Sequence, residues 1–149
     1  MTAIILIGIP ASGKSTFCRE RLFDTHVRVN LDMLKTRHRE KLLLQACIVA
    51  KQPFVVDNTN ASPAERERFI TPAREAGFKI IGYYFSSKVQ DALGRNHLRT
   101  GKARIHDNGI HAAASRLKLP CKAEGFDELW YVRLDGNGGF IIEGWNDEL

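Results

Sequence analysis

Apolar and polar positions follow two alternating rhythms along this chain. Ala3 to Ile7 is an unbroken, isoleucine-rich apolar run that stops at Gly8, which predicts a buried strand entering a tight turn. Lys14 to Leu22 switches to helical spacing. His26 to Asn30 alternates through Val27 and Val29 and predicts a second strand, followed by a helical stretch within Met33 to Ala50. Phe54 to Val56 is the next β-rich run and ends in Asp57-Asn58-Thr59-Asn60.

Helix punctuation then becomes explicit. Ser62-Pro63-Ala64-Glu65 supplies an N-cap, a proline at the first helical position and a capping-box glutamate, and Gly77 closes the helix. Lys79 to Phe85 predicts a strand, and Ser87-Lys88-Val89-Gln90 a second capping box opening a helix toward Arg99. Thr100 to Gly109 is polar, basic and rich in breakers, so it predicts a mobile loop. A short helix over Ile110 to Leu117 stops before Pro120. Leu129 to Leu134 and Phe140 to Glu143 flank Asp135-Gly136-Asn137-Gly138-Gly139, a hairpin signal. Strands alternating with helices imply an α/β fold: a parallel sheet covered by helices on both faces, ending in a C-terminal hairpin, with ligands at the strands' carboxyl ends.

Composition narrows this picture. A chain of 149 residues with no repeat or linker is expected to form one domain over 1–149, and 44% hydrophobic with 26% charged residues excludes a disordered chain. The apolar start is too short for a membrane span and lacks a basic n-region or a cleavage site, so a cytoplasmic protein with no membrane partner is expected. Cys18, Cys47 and Cys121 are odd in number and widely spaced, and the five histidines show no ligand spacing; neither set suggests disulfides or zinc. The net charge of +5 is uneven: residues 88–122 hold eight Lys or Arg against two acids, while residues 123–149 hold one against seven. A basic segment of that kind suits a polyanionic ligand, nucleic acid or nucleotide.

The candidate chemistry begins at Gly8-Ile9-Pro10-Ala11-Ser12-Gly13-Lys14-Ser15, which satisfies G-x-x-x-x-G-K-[S/T] between a predicted strand and a predicted helix. Glycines let backbone N–H groups converge on phosphate, Lys14 reaches the β- and γ-oxygens, and Ser15 offers a hydroxyl to Mg2+. ATP or GTP with magnesium is the expected ligand. Transfer to an alcohol also needs a carboxylate at the acceptor and cations around the moving phosphate. Asp32 follows the second strand at the same edge as Lys14; a helix N-cap is its competing role. Asp57 ends the third strand, where a carboxylate orients magnesium-bound water, and Asn58, Thr59 and Asn60 suit an acceptor pocket, an Asx turn being the alternative. Arg95, Arg99, Lys102 and Arg104 crowd a helix end and the following loop, as in a lid over residues 95–109.

The order of these pieces resembles the kinase domain of the P-loop polynucleotide 5′-kinases. Gly8 to Thr16 matches that family's phosphate loop, and Val29-Asn30-Leu31-Asp32 matches the segment holding its general base. Val55 to Asn60 with Arg66 matches its third-strand motif, and Arg95-Asn96-His97-Leu98-Arg99 matches its R-N-x-x-R lid segment. The resemblance implies that Asp32 deprotonates a nucleic-acid 5′-hydroxyl, that Arg99 contacts the transferring phosphate, and that Arg95 and Asn96 help hold the nucleotide beside Gly8, Ala11, Ser12, Gly13 and Thr16. Leu31 stands where the family often carries arginine, and Lys35 or Arg37 would replace a cation three residues after the base. No Asp-x-Asp-x-Thr phosphatase signature is present, so the chain would supply the kinase step alone, with a separate ligase as partner. A kinase of a small metabolite hydroxyl (a sugar acid, nucleoside or antibiotic) would use the same parts, and a nucleotide-gated binding module would use the phosphate loop alone. Oligomeric state leaves no mark in the sequence.

Overall fold

Isoleucine, valine and phenylalanine dominate the strands because each central strand must bury both faces. The computed structural model describes residues 1–146 and places six strands, β1 (Thr2–Ile7), β2 (Val27–Val29), β3 (Phe54–Asp57), β4 (Lys79–Phe85), β5 (Glu128–Leu134) and β6 (Phe140–Gly144), in one sheet of order β2-β3-β1-β4-β5-β6. All pairings are parallel except β5 with β6. The hairpin forms as its turn residues require: Asp135 Oδ1 accepts from the N–H groups of Asn137 and Gly139, and Gly136 and Gly138 take positive φ.

Successive β1 residues point to opposite faces, so one strand feeds two cores. Ala3, Ile5 and Ile7 pack with Leu44 and Cys47 of α3 (Arg37–Ala50) and with Phe69, Ile70 and Ala73 of α4 (Pro63–Glu75). Ile4 and Leu6 pack on the other face with Phe17, Cys18 and Leu22 in and just after α1 (Lys14–Arg21). Helices therefore cover both faces. A third, smaller cluster joins Ile9 and Ala11 to α5 (Val89–His97) and α6 (Asp107–Arg116). Among the described residues no helix is long and apolar enough to cross a membrane.

Three local expectations need correction. The helical stretch from Met33 to Ala50 is two helices, α2 (Leu31–Leu34) and α3, separated where Lys35 turns to φ +75° and Thr36 caps α3 by accepting from Arg39 N. The capping box at Ser87 does not form: its hydroxyl donates to Phe85 O and accepts from Ile9 N, and α5 starts after Lys88 without a side-chain cap. The stretch Thr100 to Gly109 is not all loop, since it holds a 3-10 turn at Gly101–Ala103 and the start of α6, capped by His106.

Candidate active site

The sheet order puts the carboxyl ends of β1 and β3 side by side, with Leu6 opposite Asp57. β1 runs into the phosphate loop at Gly8, where a Cβ would come within 2.9 Å of Ser12 Oγ and 3.1 Å of Phe85 Cβ, so a side chain there would crowd the loop. Gly8 N–H donates to Thr59 O at 3.1 Å, tying the loop to the residues after β3. Ala11 and Gly13 take left-handed φ of 65° and 103°, which curls the backbone, and no side chain caps the start of α1. A curled loop ending in uncapped helix N–H groups is an anion cradle.

Lys14 is 8% exposed, and its Nζ donates to Ile9 O at 2.8 Å, with Ser12 Oγ at 3.5 Å. Burial pushes its ammonium down to about 8; the charges of Asp57 and Asp32 work against that shift and that of Arg99 adds to it. Three groups drawn from β3, α2 and the segment after α5 thus act on one lysine.

At the end of β3, Asp57 is 2% exposed and its Oδ2 accepts hydrogen bonds from Ser15 Oγ at 2.9 Å and Arg28 Nε at 2.9 Å, with a terminal Arg28 nitrogen in ion-pair contact at 2.9 Å. Arg28 also donates to Ser15 Oγ at 3.4 Å. Sequence reading missed Arg28, because a cation between Val27 and Val29 has the pattern of an outward-facing strand position. Among the described residues no cluster of three or more His, Cys, Asp or Glu could hold a metal. The hydroxyl–carboxylate pair Ser15 and Asp57 offers hard oxygen donors, which fits a magnesium ion that keeps water and phosphate as its other ligands.

Asp32 reaches this edge by a different device. Asn30, not Asp32, is the N-cap of α2: its Oδ1 accepts from Met33 N at 2.9 Å, and its Nδ2 donates to Asp57 O. Asn58 secures the same turn, accepting from Leu31 N at 2.9 Å and donating to buried Glu40 at 3.1 Å. Asp32 itself is exposed and accepts no hydrogen bond from the described residues. Buried Asn30 and Glu40, with half-buried Asn58 between them, form a frame beneath an unencumbered carboxylate.

The α5–α6 arm closes another side. Arg95 Nε donates to Ala11 O, bracing the phosphate loop, and burial holds its guanidinium below its usual value. Asn96 is fully buried; its Nδ2 donates to Ile105 O at 2.7 Å and its Oδ1 accepts from Ile105 N at 3.0 Å. Asn96 does not line the cleft, and its amide is committed to folding the segment back on itself. Arg99 donates to Ala103 O at 3.3 Å and stands at the cleft.

These elements enclose a cleft of about 720 Å3. Ala11, Gly13, Lys14, Ser15, Thr16, Asp32, Arg37, Asp57, Asn58, Thr59, Asn60 and Arg99 line it, together with Arg28, Lys102 and Arg116. Ser12 and Gly8 lie within the fold of the loop. Asn60 presents little to the cleft, since it is 2% exposed, at φ 49°, with Nδ2 donating to Leu6 O. Lys35 stands apart: exposed at the α2–α3 break, it does not line the cleft, and Arg37, paired with Glu40 at 2.8 Å, is the nearer cation. Arg66 is buried in a bidentate pair with Glu124 and does not touch the cleft.

A family model described as an AAA domain matches residues 4–120. The bifunctional polynucleotide phosphatase/kinase of Schizosaccharomyces pombe is 28% identical over an alignment of 130 positions that covers 83% of this chain; the chain spans only 31% of that protein's length. In a solved Pnkp1/Rnl/Hen1 RNA repair complex, one chain superposes with a TM-score of 0.63 and 27% identity, over 78% of this chain and 43% of that one. Chaetomium thermophilum Kti12 in complex with ADP-AlF3 superposes with a TM-score of 0.65 at 18% identity, over 89% of both chains, and so shares the fold.

Proposed function

The chain belongs to this AAA-domain family and is a P-loop domain of kinase type, and on that premise we propose that it moves the γ-phosphoryl group of ATP to the 5′-hydroxyl of a nucleic-acid end. The observation that carries the reading is the convergence on one cleft of a phosphate lysine, a bond-free carboxylate and a lid-side arginine: Lys14, Asp32 and Arg99. The likeness to a polynucleotide phosphatase/kinase supports the acceptor class.

In this mechanism the loop from Gly8 to Ser15 and the first turn of α1 hold the β-phosphate, and Lys14 neutralises the β- and γ-oxygens. Ser15 and Asp57 would hold Mg2+, which when bound spreads the negative charge of the phosphates. Asp32 accepts the proton of the acceptor hydroxyl as its oxygen bonds to the γ-phosphorus; the bond to the β–γ bridging oxygen breaks and ADP leaves. Arg99 approaches the equatorial oxygens as residues 95–109 close, with Arg95 keeping the loop in register. Asn58, Thr59 and Arg37 face the acceptor side. The product, a 5′-phosphorylated end, is the form that a separate ligase would join.

The test is γ-labelled ATP with 5′-hydroxyl DNA and RNA oligonucleotides beside sugar acids, nucleosides and simple alcohols. Label on the oligonucleotide 5′ end is the expected result. Transfer to a small alcohol alone would replace this reading with a metabolite kinase, and ATP binding with no transfer to any acceptor would make the chain a nucleotide-gated binding module.

A further inference from the structure

A second groove, of about 430 Å3, opens from the phosphate cleft along the outer side of α1. Ser15, Arg19 and Arg28 belong to both spaces, and the groove continues over Cys18, Phe23, His26 and Met33. It begins one residue from Asp32, since Asp32 lines the cleft and Met33 the groove.

Its chemistry is mixed in an informative way. Phe23 is 77% exposed and Met33 51% exposed, and Phe23 makes no ring contact with the described aromatic residues. The turn that presents Phe23 is fixed, with Thr25 N and His26 N both bonded to Leu22 O at 3.2 and 3.0 Å. Arg19 is exposed and has no ion-pair partner among the described residues, and Arg28 is half-exposed. An aromatic face and a polarizable thioether, edged by cations and continuous with a phosphoryl-transfer cleft, match a flat base on an anionic backbone.

We infer that this groove receives an unpaired base at the 5′ end of the acceptor strand, stacked on Phe23 with a flanking phosphate at Arg19; the inference rests on the polynucleotide reading above. A base must leave its partner to lie there, so single-stranded and overhanging 5′ ends are preferred over blunt duplex ends, where unpairing adds a cost.

The experiment measures initial rates on a single-stranded 5′-hydroxyl oligonucleotide and on the same strand with an abasic residue at the terminal or the next position, for wild type, Phe23→Ala and Phe23→Trp. Phe23→Ala is expected to raise the oligonucleotide KM about tenfold, with kcat and the KM for ATP unchanged, and Phe23→Trp to restore it. One abasic strand raises the wild-type KM by a similar factor and adds nothing to Phe23→Ala, because both changes remove the same contact. Phe23→Ala with the wild-type KM, or losses that simply multiply, would overturn the groove assignment while transfer to the oligonucleotide keeps the polynucleotide reading intact. Transfer to a small alcohol and to no oligonucleotide would overturn both.

Discussion

The two sides of the cleft are built on opposite plans. On the donor side the key groups are tied to one another: Lys14 is bonded to Ile9 O, Ser15 to Asp57, Asp57 to Arg28, and Ala11 to Arg95. On the proposed acceptor side the carboxylate of Asp32 is exposed on a one-turn helix, and it is the residues beneath it, buried Asn30 and Glu40 and half-buried Asn58, that are bonded. A site that must grip the same triphosphate in every cycle gains from preorganised dipoles. A site that must admit an acceptor hydroxyl keeps its base open to it, and pins only the frame. On the proposed mechanism, phosphate binding belongs to the fold, and acceptor choice to a short segment that the fold merely carries.

The largest test of that division is Asp32→Asn. Loss of the proposed general base is expected to lower kcat by roughly 10²–10⁴-fold, with the ATP Kd changed by less than about twofold, because the proposed partner of Asp32 is the acceptor and its charge acts least of the named groups on Lys14. Initial rates and calorimetric titration on the same preparation check it. A parallel loss of ATP affinity would place Asp32 on the donor side and erase the distinction.

The donor plan was the legible one. Gly8, Gly13, Lys14 and Ser15 declare themselves because a backbone cradle has strict local requirements, and the Asp135 turn forms for the same reason. What depends on distant partners was hidden. Arg28 has the look of a surface cation, and only the pairing of β2 with β3 brings it to Asp57, 29 positions later. Asn96 sits in a motif that specifies its type and not its partner, and Ile105 claims its amide. The helical rhythm runs unbroken across Lys35, so the break that isolates α2 shows only once Asn30 and Asn58 hold one side and Thr36 caps the other. Ser87 matches a capping box in pattern, yet Phe85 O and Ile9 N take its hydroxyl first.

A smaller effect separates the two sides by pH. Burial brings Lys14 to about 8 in the ligand-free protein, and anionic phosphates favour its charged form, so ATP binding above that pH takes up a proton. The ATP Kd should be flat below pH 8 and rise roughly tenfold per unit above it until the complex itself loses the proton. The sign for folding is opposite to that of a stabilised cation. A depressed folded-state value means that the unfolded chain binds more protons between about 8 and the ordinary lysine value of 10.5, so Lys14 contributes a gain in ligand-free stability as pH rises through that window. Titration in buffers of differing ionisation enthalpy counts the proton, and Lys14→Met should abolish both dependences. An ATP affinity unchanged to pH 9.5 would show that Lys14 stays charged and that its burial is compensated.

The smallest expected effect falls on the seam between the two sides. Arg28 gives two nitrogens to one buried carboxylate oxygen and a longer bond to Ser15, so Arg28→Ala leaves Asp57 with Ser15 as its remaining side-chain donor. Breaking a fully buried ion pair costs about 3–5 kcal/mol. Arg28 is 36% exposed, however, and water both screens the pair and reaches the gap, which brings the expected loss to about 1 kcal/mol. For a chain of this size that is a fall in Tm of roughly 2–4 °C. Arg28→Lys keeps the charge but not the fork, and should recover only part of the loss. Equal melting temperatures for wild type and Arg28→Ala would mean that Asp57 is held by β3 and Ser15 alone. Arg28 would then stand with the acceptor side, as a cation for the incoming strand and not as part of the phosphate-holding frame.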